Sequence, residues 1–184
     1  MTNRILLTLI IALFAGSTFI AQAAPQQRDH LTQQEVDLVK EAQILDKRIE
    51  VFIKAADRRL MVLNGTQSAN AKQLKKDSEL WGELPTGSHA DLLGDIAGIL
   101  DEAITNIDDV SSRDERNPLI PKALRRLAEA VNTIMTQVTP FRHQAKSDGE
   151  VASLESLNEE AQQILEAAKK LPPPEPEKKA KKKN

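Results

Sequence analysis

Cysteine is absent from this chain of 184 residues, and aromatic side chains are few. Without cysteine there can be no disulfide, no thiolate metal site, no c-type haem attachment and no cysteine nucleophile. The aromatic residues are four Phe and one Trp, with no Tyr, and there are only seven Gly. This composition disfavours a β-sandwich, whereas the abundant Leu, Ile, Ala, Val, Glu and Lys favour an all-α fold.

Motifs for catalysis and cofactor binding are lacking as well. The chain has no Gly-rich phosphate loop, nucleophile elbow or zincin helix. A di-iron bundle needs Glu-x-x-His pairs, but Glu129 is followed three residues later by Asn132. The run Ser88-His89-Ala90-Asp91 is typical of a helix cap, because the members of a catalytic triad come from separate segments. We therefore predict no enzymatic activity, and no catalytic, cofactor-binding or metal-binding residue.

The net charge of −2 is unevenly distributed along the chain. Arg4 is the only charged residue in 1–23, and residues 172–184 contain five Lys and two Glu, or +3. Residues 24–171 consequently carry −6. An acidic body of this kind argues against general binding of nucleic acid.

Residues 1–23 have the pattern of a secretory signal peptide. Arg4 gives the basic start, an apolar run continues to Ile20, and Ala21-Gln22-Ala23 fits the small-x-small cleavage rule. The apolar run is shorter than the roughly 20 residues of a spanning helix, although an uncleaved anchor is the alternative. We predict cleavage after Ala23, a periplasmic or secreted location, and no membrane span in the cleaved protein.

The stretch from Thr32 to Asn64 predicts one long helix. Its apolar residues recur every three or four positions, which places them on one face of a helix. Thr32 and Glu35 can form a capping box at its start, and Asn64-Gly65 is a stop signal. Such a helix needs partners to be stable in water.

Four more helices are predicted after this one. A short helix covers about 69–81, a second long helix runs from Ser88 to about Ser112, and apolar stripes continue over 120–141 and 154–171. Ser147 and Glu150 form another capping box, while Pro140 should kink or interrupt the third long helix near 137–139. The pattern predicts an up-down-up-down four-helix bundle with coiled-coil-like spacing and a short extra helix in the first connection. We expect three regions: a signal peptide (1–23), the bundle (24–171) and a disordered tail rich in Pro and Lys (172–184).

Two details concern the interior of this bundle. Arg59 lies where the 3-4 spacing of the first helix calls for an apolar residue, and an inward arginine needs a carboxylate. We expect its partner to be Glu79 or Glu83 in the following connection. In the second long helix, Gly94-x-x-x-Gly98 makes a smooth strip on which the short helix can approach closely.

The second long helix has no Lys or Arg between Ser88 and Ser112. Its acidic residues predict an outward ridge that docks a basic partner or divalent cations, with a merely solvated face as the alternative: Asp91, Asp95, Asp101, Glu102, Asp108 and Asp109. The lysines of the tail predict contact with an anionic surface, with a solubilising tail as the alternative: Lys178, Lys179, Lys181, Lys182 and Lys183. The expected partner is thus an envelope protein or an anionic surface, and homo-oligomerisation stays open.

The run Leu31-Thr32-Gln33-Gln34-Glu35, with Arg48-Ile49 and Val51-Phe52 further on, resembles the first helix of uncharacterised exported helical proteins of bacteria. The same run is similar to the start of the Leu-Thr-x-x-Gln motif of periplasmic Spy/CpxP-type stress chaperones, with Glu35 in the fifth position. The first resemblance brings no known activity, and the second implies a helical dimer with a basic concave face. We expect a non-enzymatic interaction or scaffold protein of the cell envelope, with a chaperone-like holdase as the alternative.

Overall fold

The computed structural model describes residues 28–173, and both the predicted signal peptide and the tail lysines lie outside the described residues. Over 28–173 the chain forms six α-helices and no strand, which confirms the all-α prediction. The helices are α1 (Gln33–Glu41), α2 (Leu45–Leu63), α3 (Ala71–Trp81), α4 (His89–Arg113), α5 (Leu119–Gln144) and α6 (Asp148–Lys169). None of these six helices combines the length and hydropathy that crossing a membrane requires.

Three helices begin at the capping boxes that the sequence predicts. In each, the hydroxyl of the capping residue accepts the backbone N–H three residues on, and the carboxylate of that residue accepts the N–H of the cap. The pairs are Thr32 with Glu35, Ser88 with Asp91, and Ser147 with Glu150. These local signals fix where α1, α4 and α6 start.

The single helix predicted over 32–64 is wrong, because the chain breaks between α1 and α2. Ile44 is extended, with φ of −91° and ψ of 129°, although no Pro or Gly marks the break. Arg48 Nε donates to the carbonyl of Ala42 at 3.0 Å and closes the corner. A continuous helix would hold Glu35 about 35 Å from Arg58. The break lets α1 fold back on α2, so that these two side chains meet.

The apolar core lies between α2, α4, α5 and α6. Helix α2 packs against α4 and α5, and α6 packs against the same two helices, while α4 and α5 share a smaller contact. The predicted stripe residues Ile107 and Val131 are 2% and 0% exposed, so their assignment to the core is confirmed. Burying one such side chain contributes about 1.5–3 kcal/mol.

Helix α5 continues through Pro140 to Gln144, so the expected interruption does not occur. Proline has no N–H, which leaves the carbonyl of Thr136 without its helical donor. Thr136 and Pro140 are both exposed, and water can take the place of that donor. Exposure therefore explains why the helix tolerates this proline.

The short helix predicted in the first connection is α3, which ends where Gly82 adopts a φ of 63°. A salt bridge of 2.6 Å between Lys54 Nζ and Asp77 Oδ2 joins α3 to α2. Trp81, in the last turn of α3, is 6% exposed and lies under the Lys54 ammonium, which is 4.6 Å from the ring centroid. These contacts hold α3 on α2 beside α1.

Candidate functional site

The Glu35 carboxylate is the centre of a buried ionic network between α1 and α2. Its side chain is 0% exposed. Oε2 accepts the N–H of Thr32 at 2.9 Å, as the capping box requires, and Oε1 accepts from Arg58 Nε at 3.2 Å and Arg59 Nη1 at 2.6 Å. Since a buried charge is costly without partners, the network explains how this carboxylate is accommodated.

Arg59 is buried, as predicted, but its predicted partners are wrong. It pairs with Glu35 of α1 rather than with Glu79 or Glu83. Its Nη2 also donates to the carbonyl of His30 at 2.6 Å. The error follows from the assumed continuous helix, because only the break between α1 and α2 brings Glu35 back beside Arg59.

Arg58 ties the end of α3 to α2. Its Nη2 donates to the carbonyl oxygens of Trp81 at 3.0 Å and Gly82 at 3.3 Å, and also to that of Glu83. The guanidinium carbon lies 5.6 Å from the centroid of the Trp81 ring. Arg58 thereby donates hydrogen bonds both to Glu35 of α1 and to the backbone at the end of α3.

Asp95 is predicted on the outward acidic ridge, but it is 4% exposed and belongs to the interior. Arg28 binds it in a bidentate manner, with Nε 3.2 Å from Oδ1 and Nη2 2.8 Å from Oδ2, and Arg59 Nε lies 3.7 Å from Oδ2. Burial raises the pKa of Asp95, and the charges of Arg28 and Arg59 oppose that rise. The prediction failed because residues 28–32, which we call the N-terminal segment, also lie against α4. The exposed side of α4 is therefore narrower than the packing of α2 and α6 alone would leave it.

The N-terminal segment approaches α4 at Gly98. A Cβ at that position would lie 2.9 Å from Cγ of His30, so only glycine leaves room for the ring. His30 Nε2 is 2.8 Å from Glu102 Oε2. Gly94 faces Ser153 of α6. The small-residue strip therefore receives the N-terminal segment and α6, and not α3 as predicted.

The six predicted ridge residues thus divide into two groups. Four have hydrogen-bond or ion-pair partners within the protein: Asp91, Asp95, Glu102 and Asp109. Two are exposed and make no ion pair with the described residues: Asp101 and Asp108. Asp91 and Asp109 are nevertheless exposed, as predicted, and Asp95 is the one residue of the six that is buried.

Helix α6 adds carboxylates that the sequence-based prediction did not include. It has no Lys or Arg from Asp148 to Ala168, and α4 and α6 form the most extensive helix contact. Burial raises the pKa of Glu160, and the charges of Asp101 and Glu159 raise it further. Its Oε2 is buried without a hydrogen-bond partner among residues 28–173. We define the acidic face as Asp101, Asp108, Glu159 and Glu160.

Charge is segregated between two pairs of helices. α4 and α6 together contain twelve acidic residues and two basic ones, Arg113 and Lys169, each in the last turn of its helix. α2 and α5 together contain nine basic and four acidic residues. Two ion pairs join α2 to α5, Asp46 with Lys122 and Glu50 with Arg126. The absence of Lys and Arg in α6 was the available sequence signal for this segregation.

A cavity of about 610 Å³ opens where α4 and α6 begin and α5 ends. His89, His143 and Lys146 line it. The His89 ring meets Phe141 edge-on with 5.5 Å between centroids, and its Nδ1 is 3.8 Å from Glu150 Oε1. Across 28–173, no three His, Asp or Glu side chains are placed to hold a metal ion.

Comparisons with known proteins add no relative. No family model, no curated protein and no solved structure matches the chain. The resemblance to exported helical proteins therefore stays a prediction from the residues of the first helical stretch.

Proposed function

We propose that this chain is a non-enzymatic interaction or scaffold protein of the bacterial cell envelope. It is exported to the periplasm or beyond, and it binds a basic partner through the acidic face. The observation that carries the proposal is the charge segregation, with a net charge of −10 on α4 and α6 against +5 on α2 and α5. A field of one sign on one side attracts partners of the opposite charge and speeds their association.

The proposed architecture is an up-down-up-down bundle of α2, α4, α5 and α6. Contacts between helix ends support these directions. α2 and α5 are joined at their starts by Asp46 and Lys122 and at their ends by Asn64 and Gln137, as parallel helices would be. The start of α2 meets the end of α4, where Arg48 Nη1 donates to Asn106 Oδ1 at 3.0 Å.

A holdase of Spy/CpxP type is the alternative that the sequence leaves open. Such a chaperone needs an exposed apolar groove. In the described part of the chain the large apolar side chains that are exposed belong to three separate elements: Ile44 before α2, Leu80 in α3 and Val151 in α6. Scattered apolar residues are ordinary on soluble surfaces, so we favour the interaction protein. Weak binding of a hydrophobic dye to the native protein is the expected result.

The partner surface can be tested with a fluorescent lysine-rich peptide as the probe. We expect the peptide to bind the protein at low salt and to bind at least about tenfold more weakly when Asp101, Asp108 and Glu159 are all changed to Lys. The control is Glu129→Lys, which makes the same kind of substitution at an exposed position of α5, with a charge change of +2 against +6 in the triple variant. Equal losses in the control and in the triple variant would refute a localised binding surface.

Export is tested separately from binding. Fractionation of cells that express the chain should place it outside the cytoplasm, and mass spectrometry should find Ala24 as the new N-terminus. Retention of residues 1–23 on a cytoplasmic protein would refute the exported location without affecting the binding experiment.

A further inference from the structure

The apolar core ends one turn short of the starts of α4 and α6. Leu93 of α4 and Leu154 of α6 are buried. One turn nearer the helix starts, the same faces carry His89 and Glu150, each four residues before one of these leucines. These two polar side chains stand where a further apolar layer would otherwise lie, and the cavity of about 610 Å³ opens at this end of the core.

The inner wall of the cavity is apolar. Leu93 and Leu154 line it, together with Phe141 and Ala145, which are half-buried and pack against the core. Ala145 joins α5 to α6 with an extended backbone, with φ of −57° and ψ of 125°, and its small side chain occupies little of the space. Sites for small molecules have volumes of about 300–1,000 Å³ and mainly apolar walls. The cavity therefore has the size and the inner wall of such a site.

The rim of the cavity is basic. His143 and Lys146 are exposed, and their side chains make no ion pair with residues 28–173. Glu150 is the one carboxylate among the lining residues, and its Oε2 accepts the backbone N–H of Lys146 at 2.9 Å and of Ser147 at 3.2 Å. These hydrogen bonds lower the pKa of Glu150, so its charge is already stabilised within the fold. The ammonium of Lys146 and the imidazole of His143 remain available to an anion.

We propose that this cavity binds a small fatty acid, with its aliphatic chain against the apolar wall and its carboxylate beside Lys146 and His143. Burial of the chain supplies most of the affinity, and the charge at the rim selects an anion over a cation. None of the lining residues belongs to the acidic face, so this site and the proposed partner surface take ligands of opposite charge. A single cavity of this size also differs from the extended apolar groove that a holdase needs.

Octanoate is the probe that tests the location of the site. It is titrated into the full-length ¹⁵N-labelled protein while amide signals are followed by NMR. We expect saturable shifts at Leu93, Ala145 and Leu154. The amide of Ile107, fourteen residues after Leu93 and about 21 Å away along α4, should not shift. The absence of saturable shifts, or shifts centred on another part of the protein, would overturn the proposal.

Octylammonium tests the charge that the rim selects, because it carries a chain of the same length with the opposite charge. We expect it to bind at least about tenfold more weakly than octanoate at low salt, with octanol between the two. Equal affinities for the three probes would overturn the assignment of an anion.

Reversing one charge at the rim should exchange these preferences. Lys146→Glu should bind octanoate about tenfold more weakly and octylammonium more tightly than the wild type does. A folding defect would weaken the binding of both probes, so the opposite directions distinguish the two causes. The matched control is Lys170→Glu, at an exposed position at the other end of α6, and it should change neither affinity. Equal effects of the two substitutions would overturn the role of the rim.

Filling the cavity should abolish binding. Ala145→Phe places a large side chain in the cavity, and the extended backbone at this position suits any residue. The melting transition, followed by circular dichroism, checks that the helical body is retained. Binding of octanoate to this variant with the affinity of the wild type would overturn the location.

A last comparison separates a fatty acid from a peptide C-terminus, which offers a carboxylate beside an apolar side chain. N-acetylleucine is the probe for the second source. We expect octanoate to bind more tightly, because its longer chain covers more of the apolar wall. Tighter binding of N-acetylleucine would overturn the assignment to a fatty acid.

Discussion

Charged residues follow different rules under α1 and on the acidic face. Beneath α1, the buried charges of Glu35, Arg58 and Arg59 all have partners of opposite sign or backbone carbonyls. On α4 and α6, carboxylates stand beside carboxylates, and burial together with the charges of Asp101 and Glu159 raises the pKa of Glu160. The first arrangement positions helices, whereas the second leaves charge available to a partner. The difference shows that the number of charges alone does not tell whether a charged residue is paired within the fold.

We expect the largest loss of stability from a substitution that buries a carboxylate without a partner of opposite charge. Val131 is 0% exposed in the middle of α5, among apolar side chains. We expect Val131→Asp to lower the free energy of unfolding by about 4 kcal/mol or more, measured by urea denaturation. Thr133→Asp, at an exposed position of the same helix, is the control. A loss of less than about 1 kcal/mol in Val131→Asp would show that the stripe is not buried.

Removing one partner from the buried network should have the next largest effect. Glu35→Gln leaves Arg58 and Arg59 without their carboxylate and should cost about 3 kcal/mol, measured in the same way. Glu41→Gln makes the same change at an exposed position of α1 and should cost less than about 0.5 kcal/mol. Equal costs in the two variants would mean that the network contributes nothing beyond surface charge.

The ion pair of Asp46 and Lys122 is intermediate between a buried and an exposed pair, because Asp46 is 5% exposed and the Lys122 side chain is 56% exposed. The hydrogen bond from Lys122 lowers the pKa of Asp46 below its ordinary value of 3.8. The pair therefore stabilises the fold at pH values above the ordinary pKa of Asp46. This contribution is lost as the pH falls through the lowered pKa. The difference in unfolding free energy between the wild type and Asp46→Asn should be at most about 1 kcal/mol at pH 7 and should vanish in acid. A difference that grows as pH falls would contradict this sign.

On the acidic face, neutralising a carboxylate should be nearly harmless to the fold. Asp101→Asn should change the free energy of unfolding by less than about 0.5 kcal/mol. The same variant should lower the pKa of Glu160, since it removes a like charge that raises it. Titration of the Glu160 side chain by NMR measures this shift. An unchanged pKa would show that the two carboxylates do not interact.

Local rules predicted much of the fold. Three capping boxes start helices where the sequence places them, and the stripe residues Ile107 and Val131 are in the core. These features depend on residues within one or two turns of each other, which a sequence displays directly. The break before Leu45 was not predictable in this way because it contains no Pro or Gly. The break accompanies the pairing of Glu35 with Arg58 and Arg59, which are distant in sequence and which no local pattern displays.

The candidate site was predictable only in part. The acidic composition of α4 is visible in the sequence, and Asp101 and Asp108 are exposed as expected. The burial of Asp95 depends on Arg28, which is 67 residues away and approaches from the N-terminal segment. Likewise, the joining of α6 to this face depends on which helices pack together. Helical periodicity gives the side of a helix that is apolar, but it does not name the helix that covers it.

Helix α1 contributes one buried side chain, that of Glu35, whereas α2 contributes ten. A segment held by so few buried contacts opens at a lower free energy than the core does, as a cooperative sub-global unit. His30 belongs to the same unit because its carbonyl is bonded to Arg59, which also binds Glu35. In native-state hydrogen exchange, the amides of α1 should therefore lose protection together and before those of α2. His30 and α1 would then detach from α2 together while the four long helices remain folded.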